Sequence, residues 1–208
     1  MWRAGVRSCL RYATMRIVMG RPRQAAVDQA IVEAAQALLL ANGYPGVSVE
    51  GVAARAGVAK TTVYRRWPSK AELVFEAAIH HSRLGPAPDT GSLRGDLAAV
   101  VTLVVRSLSR PVAAAAVPGL IADMRADAKL RVRVMDRFVG AEREWILAIL
   151  ARAAGRGEIP GKVDPDLVLD LLIGPVFSRL FLTGRMASRQ FGELLAAVVS
   201  AGLKEDDR

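Results

Sequence analysis

Between residues 60 and 66 the chain reads KTTVYRR, a run that sets cationic and hydroxyl hydrogen-bond donors side by side on one short helix. Val63 is its main apolar anchor. Lys60, Thr61, Thr62, Tyr64, Arg65 and Arg66 cover the rest of the circumference, and no carboxylate occurs between Glu50 and Glu72. Such a face suits phosphate oxygens and base edges. The competing reading is an ordinary solvated helix face, and spacing alone leaves both open.

The flanking residues supply the elements that would position this run. Val49, Val52, Ala53 and Ala56 recur at helical spacing behind Ser48, a good N-cap, with Glu50 in the positive first turn and Val47 placed to staple against Val52. Gly57 stops that helix, and Val58 restarts the apolar pattern. A second helix then runs from Lys60 to Trp67, ended by Pro68, whose ring disfavours helical geometry in the residue before it. Ser69 and Glu72 have the spacing of a capping box for a further helix. Two short helices about a glycine turn, here about residues 48–67, form the helix-turn-helix skeleton whose second helix enters a major groove.

From GRPR at Gly20–Arg23, through ANGYPGVSVEGVAARAGV, to KTTVYRRWPSKAEL, the chain resembles the DNA-binding domain of the tetracycline-repressor (TetR) family of transcriptional regulators. The resemblance covers residues 20 to about 84. The cluster Tyr64, Trp67, Pro68, Ser69 and Lys70 is specific to that family among helix-turn-helix proteins, and Trp67 stands where the family most often has Phe. The resemblance implies that Tyr64 and Lys70 contact phosphate. Lys60, Thr61 and Thr62, at the start of the second helix, are placed to meet base edges and nearby phosphates, with Arg65 expected to read guanine and Arg66 to contact the DNA backbone. Ser48 caps its helix and is a further phosphate candidate. Val63 and Trp67 are expected in the core.

Charge agrees with this placement. Residues 1–83 carry 12 Lys and Arg against 5 Asp and Glu, and residues 84–208 carry 17 against 15, so the excess within a net +9 sits with the proposed DNA-binding part. Cys9 is the sole cysteine, which excludes an intramolecular disulfide or a Cys-rich metal site and points to a cytoplasmic compartment. Adjacent His80 and His81 point about 100° apart on a helix and make a poor metal pair. No catalytic constellation, phosphate loop or cofactor motif is present, so neither an enzyme nor a bound cofactor or metal is expected. The apolar stretches 97–105 and 167–182 contain or abut charges and fall short of a membrane span. Residues 1–19 carry four arginines and no continuous apolar run. They read as a basic extension, either a disordered arm or a non-native start ahead of Met15 or Met19.

The expected fold is all-α: an N-terminal three-helix helix-turn-helix domain over 20–84 and a C-terminal helical bundle over 89–208, about nine helices in all. Val27, Ala30, Ile31, Ala34 and Leu38 mark a first helix at about 24–42. A fourth runs from Ser69 to about Ser82, and Gly85-Pro86-Ala87-Pro88 is the domain boundary. A fifth follows Leu93 to Leu108, and a sixth, about 111–125, is kinked or divided at Pro118. A long seventh carries Leu130, Val134, Phe138, Ala141, Trp145 and Ala148 on one face. An eighth opens on Asp164-Pro165 and runs to about Thr183, and a ninth carries Phe191, Leu194, Leu195, Val198 and Val199. The eighth is apolar around nearly its whole circumference, which one core cannot absorb. The resemblance supplies a second partner: the last two helices, about 164–204, pairing with those of a twin subunit. Whether its outward face holds Leu172 and Val176 or Leu169 and Phe177 stays open. The segment GEI…DPDLVLDLLIGP resembles a C-terminal subclass of the family.

The function implied is a ligand-responsive regulator, a repressor, that binds a pseudo-palindromic double-stranded DNA operator as a homodimer and answers a small-molecule effector. An architectural DNA-coating protein and an all-α enzyme with a DNA-binding head are the alternatives. Met124, Met135, Phe138, Trp145 and Phe177 lie on helices that would surround an effector, but bulky residues at helical spacing read first as core. The apolar faces hold no clustered carboxylates, which favours a neutral or anionic effector.

Overall fold

The computed structural model describes residues 9–79, 85–136, 140–160 and 162–204, with side chains from residue 24 onward. Its order is α1 (Cys9–Asn42), α2 (Val49–Ala56), α3 (Lys60–Tyr64), α4 (Lys70–Ala78), α5 (Leu93–Leu108), α6 (Pro111–Ala126), α7 (Ala128–Val134), α8 (Gly140–Gly155), α9 (Pro165–Phe177) and α10 (Arg189–Gly202), with a π-helical turn at Ser178–Leu182 after α9. No strand occurs among the described residues. His80, His81 and Phe138 lie outside them.

Local rules account for most boundaries. Ser48 Oγ accepts the Gly51 N–H at 3.0 Å to open α2. At its end Gly57 adopts φ 67°, and the N–H groups of Gly57 and Val58 return to Ala54 and Ala53, a Schellman closure that needs a left-handed residue. Ser69 Oγ accepts the Glu72 N–H at 3.2 Å and opens α4. Asp164 caps α9, with Pro165 at its first position.

Three expectations are corrected. α1 begins at Cys9 rather than near residue 24. Leu10, Arg11, Ala13, Met15 and Arg16 are good helix formers, and each added residue gains a hydrogen bond on a helix already nucleated. α6 is not divided at Pro118, because the proline sits on the exposed face, where water can serve the carbonyl one turn earlier. Within the expected long seventh helix the α-helical stretches are α7 and α8, with Met135 and Asp136 in π-helical geometry after α7. Leu130 and Val134 pack into one core while Ile146, Ile149, Leu150 and Ala153 pack into another, so no single face runs through both.

Those two cores define the architecture. The first gathers α1 to α4 around Ile31, Leu39, Val52, Val63, Trp67 and Leu73, and it also takes Val112, Ala116 and Leu120 of α6 with Leu130 and Val134 of α7. The second joins α5, α8, α9 and α10 through Leu97, Val101, Ile149, Leu172, Val176 and Ala196. Helices α6 and α7 thus follow the domain boundary in sequence yet pack on the reading head.

Two polar ties reinforce that docking. Arg133 Nε of α7 donates to Glu72 Oε1 of α4 at 3.2 Å, and just before α6 the Ser107 hydroxyl at the end of α5 donates to the Ile79 carbonyl after α4 at 2.8 Å. Gly119 lies so close to the Tyr44 ring that a Cβ there would overlap ring carbons. Gly119→Ala should therefore overpack the α6 junction and cost on the order of 1 to 3 kcal/mol, read as a lower thermal midpoint by circular dichroism. An unchanged midpoint would mean that Tyr44 docks elsewhere in solution.

The outer faces of α9 and α10 differ from the rest of the surface. Leu172 and Val176 are fully buried, so the Leu172/Val176 face is the monomer core and not the outward one. Leu167 and Leu171 (42% exposed) instead face out on α9, and Leu194 (63%) and Val198 (62%) do so on α10.

Candidate nucleic-acid interface and effector cavity

The exposed side of α3 is built as the sequence implies. Val63 is fully buried and Trp67 nearly so, its indole N–H donating to Glu76 Oε2 at 2.7 Å, which fixes α3 on the domain. Lys60, Thr61, Tyr64 and Arg65 then face solvent, Thr62 is half-buried, and Ser48 is exposed at the start of α2. Lys60 Nζ lies 5.6 Å from the Tyr64 ring centroid.

Two cations on this surface are engaged within the protein. Lys60 pairs with Glu50 across the turn, which raises the ammonium pKa and lowers that of the carboxyl, chiefly through their hydrogen bond. Glu50 is a functional neighbour that sequence reading treated only as a first-turn acid, because nothing in the spacing of two helices reveals a contact across their turn. Arg66 was expected on the DNA backbone. In the structure its side chain lies against Asp28 of α1 with 12% exposed and donates to the Thr62 carbonyl at 3.1 Å, which also braces α3 on α1.

Lys70, at the first position of α4, is half-buried, and its ammonium stands 4.2 Å from the centroid of the Tyr44 ring. Burial lowers its pKa, with the Asp123 carboxylate opposing. The Tyr44 hydroxyl in turn donates to Asp123 of α6, and burial followed by that carboxylate raises the phenol pKa. Tyr44 and Asp123 escaped sequence reading because one sits in a loop and the other a domain away.

Between the two cores lies a cavity of about 1650 Å³, walled by α4, α5, α6, α8 and α9. Met124, Met135, Trp145 and Phe177 line it, and Met124 also packs against the first core and Trp145 against the second. The expectation of a neutral or anionic effector loses its ground. Asp136, Glu142, Asp166 and Asp170 line the cavity with Arg106, Arg110 and Arg143. Glu142 and Asp166 sit in the first turns of α8 and α9, where apolar periodicity does not register them. Arg143 Nε pairs with Asp166 at 2.9 Å. Among the described residues no group of three or more His, Cys, Asp or Glu is placed to hold a metal, and no single helix is long and apolar enough to cross a membrane.

A helix-turn-helix head with a cationic reading helix, joined to a cavity-bearing helical domain, defines a DNA-binding transcriptional regulator. Residues 31–77 match the family described as bacterial regulatory proteins, tetR family, and residues 87–199 match the tetracyclin repressor-like C-terminal domain. The chain belongs to the TetR family of transcriptional regulators.

An uncharacterized HTH-type transcriptional regulator of Bacillus subtilis, YdeS, is 34% identical over 79% of this chain and 83% of its own length. The DNA-binding transcriptional repressor TetR of Mycobacteroides abscessus is 33% identical over 88% and 95%. Among solved structures, the TetR family regulator SCO0332 superposes with a TM-score of 0.68 at 29% identity, covering 85% of this chain and 97% of its own. FadR of Bacillus subtilis, solved in complex with stearoyl-CoA, shares the fold at a TM-score of 0.59 and 16% identity, covering 84% and 98%.

Proposed function

We propose that the protein is a homodimeric, ligand-responsive repressor acting in the cytoplasm. It binds a pseudo-palindromic operator through two copies of α3 and releases it when a small molecule occupies the cavity. The observation that carries this reading is the pairing, in one chain, of a donor-rich exposed α3 with an outward apolar face on α9 and α10. A two-fold reader needs both surfaces. The domain assignment expected from sequence, a reading head over 20–84 and an effector and dimer domain over 89–208, is kept, with α6 and α7 as the part of the second that rests on the first.

Ser48, Lys60, Thr61, Thr62, Tyr64, Arg65 and Lys70 are the proposed DNA contacts. Arg66 is the proposed contact to the DNA backbone, and its pairing with Asp28 also braces α3. The cavity lining is mainly apolar with a few charged side chains, which suits a mainly apolar small molecule that carries polar groups.

Selection of bound fragments from the organism's genomic DNA, followed by footprinting, tests the reading. One short symmetric protected site is expected. Uniform coverage would establish an architectural coating protein instead, and no duplex binding at low salt would overturn the DNA-binding reading altogether.

A further inference from the structure

Three features meet where α6 touches the reading head. Gly119 and Asp123 lie one turn apart on the face of α6 turned to Tyr44, while Val117, Leu120, Ile121 and Met124 of the same helix wall the cavity. Tyr44 is nearly buried, donates its hydroxyl to Asp123, and offers its ring face to the Lys70 ammonium at 4.2 Å. A lysine proposed as a DNA phosphate contact is thus seated on an aromatic ring whose far end is tied to a carboxylate of the cavity-walling helix.

An ammonium over a ring face is attracted by the ring's negative face, and a nearby carboxylate strengthens the attraction. To reach a phosphate, Lys70 has to give up part of that seat. We propose that Asp123 is a positioning residue that, through Tyr44, draws the Lys70 ammonium away from the DNA phosphate, so that an occupant moving α6 resets DNA affinity at a single cation. This rests on the reading of Lys70 as a phosphate contact. An occupant that presses α6 toward Tyr44 tightens the seat and weakens DNA binding, and one that withdraws α6 frees Lys70.

Because a phosphate contact is independent of sequence, the test uses the full chain and a mixed-sequence DNA duplex long enough for two half-sites, titrated over a range of salt concentrations. Lys70→Ala should weaken binding and flatten the logarithmic salt slope by about one unit. Asp123→Asn keeps an acceptor for the Tyr44 hydroxyl and removes only the charge. It should tighten binding by about two- to fivefold, the range set by a partly exposed charge pair. The gain should vanish when Asp123→Asn is combined with Lys70→Ala.

A gain that persists without Lys70 would mean that Asp123→Asn acts only through net charge, and the proposal fails. It fails equally if Asp123→Asn changes nothing while Lys70→Ala weakens binding as expected. If Lys70→Ala itself leaves affinity and slope unchanged, the phosphate assignment of Lys70 falls, and the proposal with it.

A measurement on the unsubstituted protein needs no variant to fold. The Lys70 ε-methylene protons should show an upfield ring-current shift by nuclear magnetic resonance, and the duplex should relieve it. An unchanged shift at saturating duplex would show that Lys70 stays seated, and the proposal would be overturned.

Discussion

A glutamate at Leu171 or at Val198 should leave the protein folded and helical but monomeric, with operator affinity lower by about 100-fold or more, since a single reading head loses the effective concentration that its twin provides. Both side chains are apolar, largely solvent-facing, and set on the two helices that end the chain, with Leu167 and Leu194 beside them. In a dimer each charge would be buried unpaired against the partner, which costs several kcal/mol, whereas in the monomer it stands in water at almost no cost. The contrast with Leu172→Glu makes the experiment specific. Leu172 is fully buried within the second core, so a carboxylate there should unfold the domain rather than separate subunits. Sedimentation velocity and circular dichroism distinguish the outcomes. If Leu171→Glu and Val198→Glu both remain dimeric with full operator affinity, the α9/α10 interface is wrong.

That contrast also shows what the sequence could and could not convey. The nearly complete apolar girth of α9 announces that two partners share it, because hydrophobic surface beyond one face has to be covered by something. Which face looks outward depends on how α9 lies against α5, α8 and α10, and no property of α9 alone sets that. The reading head was more legible because its boundaries rest on short-range chemistry. Ser48, Gly57 and Ser69 each act within a few residues of themselves, through a side-chain cap or a left-handed turn.

Contacts that join distant segments were invisible for the corresponding reason. Asp28 to Arg66, Arg133 to Glu72 and Tyr44 to Asp123 each require two surfaces already folded. The failure at α7 and α8 has the same origin. Leu130, Val134, Trp145 and Ala148 keep helical phase as letters, yet Leu130 and Val134 pack into one core and Trp145 packs against the other. Cavity-lining carboxylates in the first turns of α8 and α9 satisfied two demands at once, dipole and cavity, of which only the first can be read locally.

Lys60 and Arg65 carry the second large expectation, a change in which operators are preferred. Both project from the exposed side of α3, with Val63 and Trp67 anchoring the opposite side, so truncating either leaves the scaffold intact. Loss of a base contact costs on the order of 1 to 3 kcal/mol of discrimination at that base pair, and in a dimer the loss is repeated in the second half-site. Arg65→Ala should relax the requirement for a G·C pair. Lys60→Ala should alter preference as well as overall affinity, and it also leaves Glu50, now without its partner, facing the DNA. Glu50→Gln should restore part of the affinity lost in Lys60→Ala by removing that repulsion, without restoring the original preference. Arg66→Ala serves as the contrast, because its side chain braces α3 against Asp28: it should lower the thermal midpoint while leaving the ranking of operators unchanged. Binding measured across every single-base variant of the selected operator resolves the four. An identical ranking for wild type, Lys60→Ala and Arg65→Ala would show that neither side chain reads bases, and that α3 binds the phosphate backbone alone.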